Sequence, residues 1–169
     1  MNAPVSAFIG IGANLGDPVA QVFDALARLA RDLPETRPSG RSRLYRNPPM
    51  GPRDQPDYVN AVARLETRLE PRALLHRLQA IEVACGRRRD ATRWGPRLLD
   101  LDLLLFGEEV IDEPGLRVPH PGIPERDFVL LPLLELAPGL MIPGHGPVAA
   151  LCRGMCGTGL QAVAEETRA

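Results

Sequence analysis

Lysine is absent from this 169-residue sequence, and all 20 of its basic residues are arginine. The P-loop of nucleotide-binding proteins requires a lysine in its G-x-x-x-x-G-K-[ST] motif, so a phosphate site of that class is excluded. Phosphate groups must instead be bound by arginine side chains, by backbone N–H groups or through a metal ion.

Aromatic residues are also scarce, at 4% of the sequence, and the formal net charge is only −1. Nucleic-acid-binding proteins usually carry a basic surface, and many RNA-binding modules add aromatic side chains that stack on bases. We therefore expect small-molecule partners and no nucleic acid.

No apolar stretch approaches the roughly 20 residues of a membrane span, and the N-terminus lacks the basic and apolar segments of a signal peptide. The three cysteines, Cys85, Cys152 and Cys156, have no histidine beside them, which favours reduced thiols over zinc binding. We expect a cytoplasmic monomer with no membrane contact, folded as a single domain over residues 1–169.

Two carboxylates interrupt the apolar segment Leu98–Phe106, which is predicted to be a strand. Side chains alternate between the two faces of a strand, so Asp100 and Asp102 share one face. The opposite face is predicted to be apolar and to consist of Leu99, Leu101, Leu103 and Leu105. Two carboxylates separated by roughly 6.5–7 Å can converge on divalent ions, and oxygen ligands of this kind suit Mg²⁺.

Five arginines lie just before this strand, at positions 87, 88, 89, 93 and 97. Guanidinium groups match phosphate oxygens in a bidentate geometry, and phosphoryl transfer depends mostly on positioning and charge neutralisation. Carboxylates for a metal beside arginines for phosphate therefore favour a phosphoryl-transfer site. The alternative is a structural Asp–Arg network at the edge of a sheet.

Further candidate residues lie in other predicted elements. The proline-rich segment Asn47–Pro56 cannot form a regular element and precedes a strand on which Tyr58 and Asn60 share a face, an arrangement able to stack on and hydrogen-bond to a flat heterocycle. His120 lies between two prolines and is a candidate phosphate contact, although a single histidine is more often structural. Glu82 ends a predicted helix and is expected to reach a cleft or to be solvated.

The predicted elements follow the order strand, helix, strand, strand, helix, strand. The strands are predicted at 7–11, 40–46, 57–66 and 98–106, and the turn 10–17 of small residues leads from the first strand to the first helix. The order indicates a mixed α/β (α+β) protein of the ferredoxin-like class, with an antiparallel sheet core and helices packed on its faces.

Four stretches, taken in order, resemble the signatures of one enzyme family. They are the turn Gly10–Asp17, N-P-P-M-G-P with Q-P-D-Y-V-N over residues 47–60, R-W-G-P-R with L-D-L-D over residues 93–102, and V-P-H-P with Arg126 and Phe128. In this order and spacing they are similar to 6-hydroxymethyl-7,8-dihydropterin pyrophosphokinases of folate biosynthesis, from about Ala7 to Pro138.

The resemblance implies an enzyme that transfers diphosphate from ATP to the pterin hydroxymethyl group, leaving AMP. It implies two Mg²⁺ ions on Asp100 and Asp102, which together with Arg87 and Arg97 form the catalytic set. The implied pterin-binding residues are Asn47, Pro48, Met50, Tyr58, Asn60 and Phe128. The implied ATP-binding residues are Glu82, Arg87, Trp94, Arg97, Leu103, His120 and Arg126.

The sequence departs from the family pattern at Asn47, where threonine is usual, at Gly115 and Arg117, and at Pro121-Gly122. The departures after residue 114 concern the ATP contacts and leave the metal set complete. The alternative functions are a ferredoxin-like pterin- or nucleotide-binding module without turnover and an RNA-binding module. The low charge and the two carboxylates disfavour the RNA-binding module.

Overall fold

A central antiparallel sheet carries the fold of the protein in a computed structural model, which describes residues 3–47, 57–85, 99–154 and 160–164. The elements in chain order are β1 (Val5–Ala13), α1 (Pro18–Arg31), β2 (Thr36–Arg41), β3 (Tyr45–Asn47), β4 (Tyr58–Thr67), α2 (Pro71–Ala84), β5 (Asp100–Phe106), β6 (Ile111–Glu113), β7 (Leu116–Val118), α3 (Asp127–Leu136), β8 (Met141–Ile142), β9 (Gly146–Pro147), α4 (Val148–Cys152) and β10 (Gln161–Ala162).

The strands of the main sheet lie in the order β10-β3-β4-β1-β5, and β2 pairs with β4 beside β3. Strand β1 is paired antiparallel to both β4 and β5, and β3 is antiparallel to β4. The order and directions of β3, β4, β1 and β5 confirm the ferredoxin-like α/β prediction. Among the described residues, no helix has the length and hydropathy of a membrane span.

One face of the sheet packs against α1 and α2. Helix α1 begins after Asp17, whose carboxylate accepts a hydrogen bond from the Ala20 N–H at 3.1 Å and so caps the helix. Its apolar stripe meets alternate residues of β1, β4 and β5, among them Ile9, Ala61 and Leu101. The opposite face packs against α3 and α4 through Phe8, Val62 and Leu104.

Strand β5 contains a β-bulge, and the prediction that Leu105 shares a face with Leu99, Leu101 and Leu103 was wrong. The pairing with β1 runs Ile9 to Leu103 and then Phe8 to Leu105, so Leu104 is an additional residue. Leu99, Leu101 and Leu103 lie on the α1–α2 side as predicted, but Leu105 lies in the α3–α4 core and Phe106 returns to the first face. The reversal follows the bulge, so Asp100 and Asp102 keep their predicted face.

Three other parts of the chain differ from the prediction. The polar strand predicted over residues 40–46 is divided into β2 and β3, because Ser42 leaves the ladder and its hydroxyl accepts the Val62 N–H at 2.9 Å. Residues 10–13, predicted to belong to a turn, are the end of β1. The short strands β8, β9 and β10 were not predicted.

Candidate active site

The two predicted metal ligands lie on one face of β5, opposite two glycines of β1. Asp100 pairs with Gly12 and Asp102 pairs with Gly10, and both carboxylates are only partly buried. Because glycine has no side chain, neighbouring side chains approach this part of the sheet closely, and Leu104 would lie 3.4 Å from a Cβ atom at Gly10.

Gly12 also allows a close approach from β4. A Cβ atom at this position would lie 2.7 Å from Oδ1 of Asn60, the residue that pairs with Gly12 across the sheet. Any larger residue would displace the Asn60 amide. The G-I-G spacing therefore places the amide and the two carboxylates on one continuous surface.

Asn60 belongs to a polar group formed by β3 and β4. Its amide Nδ2 donates a hydrogen bond to Oδ1 of Asn47, and both side chains are buried. Asn47 pairs with Tyr58 across the two strands, so the asparagines and the Tyr58 ring share a face. A buried amide pair beside an aromatic ring matches the predicted recognition of a flat heterocycle.

His120 and Arg126 approach Asp102 from the segment after β7. The Nε2 atom of His120 lies 3.9 Å from one carboxylate oxygen of Asp102, and NH1 of Arg126 lies 3.8 Å from the other. Both separations are longer than hydrogen bonds. A phosphate group bound here would meet a cation, a histidine and a carboxylate together.

The backbone fixes the orientation of His120. The Gly122 N–H donates to Nδ1 at 3.0 Å, which leaves Nε2 as the atom that carries the ring proton in the neutral form. Burial lowers the pKa of His120 below its usual value, against the opposing effect of Asp102 and with the help of Arg126. A neutral imidazole therefore directs an N–H donor toward Asp102.

Arg126 is positioned by contacts on both sides. Its guanidinium carbon lies 5.8 Å from the centre of the Phe128 ring, within the range of a cation–π contact. On its other side the guanidinium occupies the space above Gly122, where a Cβ atom would lie 2.6 Å from Nε. Phe128, in the first turn of α3, therefore contacts the arginine that approaches Asp102.

Two predicted ATP contacts lie away from this face. The Glu82 side chain is buried, and its carboxylate accepts the Leu101 N–H at 2.8 Å, so the alternative that it is solvated was wrong. The Leu103 side chain lies in the core on the α1–α2 side, so only its backbone can face a ligand. The predicted residues outside the described ranges are Pro48, Met50, Arg87, Trp94 and Arg97.

The pair of carboxylates fits a hard divalent cation. The described residues contain no group of three or more His, Cys, Asp or Glu side chains able to bind a metal ion together. Mg²⁺ commonly uses one or two carboxylates and takes its other ligands from water and substrate phosphates. Asp100 and Asp102, with His120 and Arg126 less than 4 Å from Asp102, are compatible with that ligand set.

Sequence reasoning missed the part played by the glycines. Gly10 and Gly12 were interpreted as turn residues, yet their alternation opposite D-L-D would have indicated strand positions that neighbouring side chains can approach closely. Nothing in the sequence pattern indicates that Gly122 makes room for Arg126, because that contact depends on how the segment folds back toward β5.

Comparison with known proteins identifies similarity over most of the chain. Residues 8–138 match the family model described as 7,8-dihydro-6-hydroxymethylpterin-pyrophosphokinase. The 2-amino-4-hydroxy-6-hydroxymethyldihydropteridine pyrophosphokinase of Pseudomonas aeruginosa is 53% identical over 136 residues, which cover 80% of this chain and 83% of that protein. The Haemophilus influenzae protein of the same name is 44% identical, covering 88% and 92% respectively.

A solved structure shares the fold. The HPPK-DHPS triple mutant of Plasmodium falciparum with SDX-DHP superimposes with a TM-score of 0.73 at 14% identity, covering 90% of this chain. This chain spans only 44% of that protein, and at this identity the likeness concerns the fold alone.

Proposed function

The chain belongs to the 7,8-dihydro-6-hydroxymethylpterin-pyrophosphokinase family, and from that membership we propose that it transfers diphosphate from ATP to the hydroxymethyl group of 6-hydroxymethyl-7,8-dihydropterin. The products are AMP and the pterin diphosphate, an intermediate of folate biosynthesis. The observation that carries the proposal is one sheet face that holds the Asn47–Asn60 amide pair on β3–β4 and the two carboxylates on β5, with His120 and Arg126 beside Asp102.

The pterin is proposed to bind at the β3–β4 end of this face. The ring stacks between Tyr58 and Phe128, and the Asn47–Asn60 amide pair reads its polar edge. The backbone around Pro48 and Met50, which lies outside the described residues, is proposed to complete this contact. A buried amide pair discriminates strongly against a ligand that leaves its hydrogen-bonding groups unpaired.

The triphosphate is proposed to bind at the β5 end, beside His120 and Arg126. In the reaction the pterin hydroxyl oxygen bonds to the β-phosphorus, the bond from that phosphorus to the α–β bridging oxygen breaks, and the hydroxyl proton is released. Two Mg²⁺ ions bound by Asp100 and Asp102 would neutralise phosphate charge and help to align the reacting oxygens. Arg87 and Arg97 are proposed to stabilise the negative charge that develops on the bridging oxygen, with Trp94 covering the nucleotide.

The nucleotide base is proposed to lie along the outer edge of β5, which pairs with no further strand of the main sheet among the described residues. Glu82 accepts the Leu101 N–H at this edge, and the period-two geometry of a strand points the backbone groups of Leu103 the same way. Leu103 therefore contributes backbone hydrogen bonds, and Glu82 fixes the strand from behind. Residues 1–169 are proposed to act as one domain and as a monomer, and the cytoplasmic location stays a prediction.

A product assay tests the proposal. Protein, Mg²⁺, ATP and 6-hydroxymethyl-7,8-dihydropterin are mixed, and the nucleotides are separated by chromatography. We expect AMP and pterin diphosphate only when metal and pterin are both present. ADP in place of AMP would replace the proposal with an ordinary kinase, and pterin binding without any AMP would favour the binding module without turnover.

A further inference from the structure

A cluster of polar side chains outside the proposed active site joins helix α3 to the start of β3. It consists of Arg43, Tyr45 and Glu135, and we name it the Glu135 clamp. The Glu135 carboxylate accepts hydrogen bonds from the Tyr45 hydroxyl, from the Arg43 backbone N–H at 2.6 Å and from the Arg43 Nε at 3.0 Å. The Arg43 NH2 group also donates to the Tyr45 hydroxyl at 3.2 Å.

The two elements joined by the clamp are those that carry the proposed pterin contacts. On β3, Tyr45 and Asn47 are two residues apart and therefore share a face, separated by roughly 6.5–7 Å. On α3, Phe128 and Glu135 are seven residues apart, which places them on one side of the helix about 10.5 Å apart along its axis. Each of the two elements therefore carries a clamp residue and a proposed pterin contact on the same side.

Little else fixes β3 against α3. The strand has only three residues and follows the break in the ladder at Ser42. It pairs with β4 on one side and with the two-residue strand β10 on the other. The side of α3 that meets the sheet is otherwise apolar, and apolar packing alone sets no unique register because it is non-directional. Directional bonds to a single carboxylate supply that register.

We propose that the Glu135 clamp sets the spacing between β3 and α3 and thereby positions Asn47 and Phe128 for the pterin. Tyr45 and Glu135 are positioning residues that do not themselves touch the substrate. This inference rests on the proposed function, because it concerns the pterin side of the same site. The clamp acts mainly on the pterin, because the β5 carboxylates and His120 lie outside β3 and α3, although Arg126 also contacts Phe128.

Steady-state kinetics of Tyr45→Phe and Glu135→Gln test the inference, with KM measured separately for pterin and for ATP. Each variant removes or weakens the Tyr45–Glu135 bond while keeping the size of the side chain. We expect the pterin KM to rise about tenfold, since small displacements of binding groups cost one to two orders of magnitude, and the ATP KM to stay within about twofold. The double variant should be no worse than the more affected single variant, because both changes act on one hydrogen-bonded cluster.

Ser6→Ala is the matched control. The Ser6 hydroxyl also donates to a carboxylate, that of Glu66 at 2.8 Å, but at the far end of the sheet from the proposed site. It should lower thermal stability and leave both KM values unchanged. Clamp variants that lose only stability, as Ser6→Ala does, or that raise both KM values equally, would overturn the inference. Absence of AMP formation by the wild-type protein would refute the proposed function itself, and the clamp would then be judged by pterin binding titrations of the same variants.

Discussion

Asp100 and Asp102 project from a strand whose opposite face is fixed in the hydrophobic core. Leu99, Leu101 and Leu103 alternate with the two carboxylates and are all but fully buried. The core therefore determines where the carboxylates lie, and their own charge contributes little to that placement. Substitutions of the two acids should separate chemistry from folding.

Asp100→Asn and Asp102→Asn are each expected to lower turnover by about 10²-fold or more, because a bound metal contributes several kcal/mol to transition-state stabilisation. The thermal unfolding midpoint should change little. AMP formation at saturating substrates and a melting curve provide the measurement. Asp112→Asn is the control. The Asp112 side chain lies on β6 and is 82% exposed, so this variant should keep full turnover. Near-normal turnover of either test variant would remove that residue from the metal site.

Gly122→Ala is expected to raise the ATP KM by about tenfold while the protein stays folded. Gly122 has φ of −80°, which alanine adopts freely, but the new Cβ atom would lie 2.6 Å from the Arg126 Nε and displace the guanidinium from Asp102. Gly139→Ala is the control, since a Cβ atom there would have no neighbour within 4 Å. An unchanged ATP KM in Gly122→Ala would show that Arg126 does not need this space.

How far the site could be predicted depends on the range of the contacts involved. Alternation along a strand is local, so the sequence sufficed to place Asp100 and Asp102 on one face. The partners of Glu82 and Arg126 come from other elements of the fold, so a local sequence pattern does not reveal them. The packing of α2 against β5 determines that Glu82 is buried. Residues within 86–98 were assigned roles from the arginine pattern and from the family resemblance, and those roles are still predictions.

At the level of elements, the short strands explain most of the differences from prediction. β3, β8, β9 and β10 each contain two or three residues, too few for an alternating pattern to be recognised in a sequence. The helices α1 and α2, with 14 residues each, were predicted correctly because their apolar stripes repeat over several turns. The bulge at Leu104 left no signal in a run of consecutive leucines.

Strand β10 is expected to support β3 from the outer edge of the sheet. The Val163 N–H donates to the fully buried Leu44 carbonyl at 2.8 Å, just before β3 begins. Val163→Pro removes this donor and with it one backbone hydrogen bond, at a cost of roughly 0.5–1.5 kcal/mol. Urea unfolding measures this loss, and Ala164→Pro, at an exposed position, serves as the control. Equal stability of the two variants would show that β10 contributes nothing to the sheet.

At the scale of the whole molecule, the proposed site lies at the end of the hydrophobic core that the sheet forms with α3 and α4. Helix α3 covers the part of the sheet face that carries Phe8 and Val62, and the face continues beyond it as the polar row of Asn60, Gly12 and Asp100. The Glu135 clamp lies at the boundary between the helix and the sheet. The protonation states of Glu135 and Tyr45 therefore link the stability of the fold to the shape of the site.

The clamp should stabilise the fold only between two pH limits. Burial alone would raise the pKa of Glu135, but the hydrogen bonds from Tyr45 and Arg43 outweigh this effect and lower the pKa below its ordinary value of 4.5. A carboxylate with a lowered pKa contributes stability above its ordinary value, and this contribution is lost as the pH falls through the lowered one.

Burial and the bond to Glu135 raise the pKa of Tyr45 above 10.0. Its contribution is complete below that value and is lost as the pH rises through the raised one. The difference in unfolding free energy between the wild type and the Tyr45→Phe/Glu135→Gln variant should therefore be constant near neutral pH. It should shrink as the pH falls below 4.5 and as the pH rises above 10.0. Urea unfolding across this range measures the difference. A constant difference at every pH would mean that the Tyr45–Glu135 bond does not form in solution, and the positioning role of the clamp would fall with it.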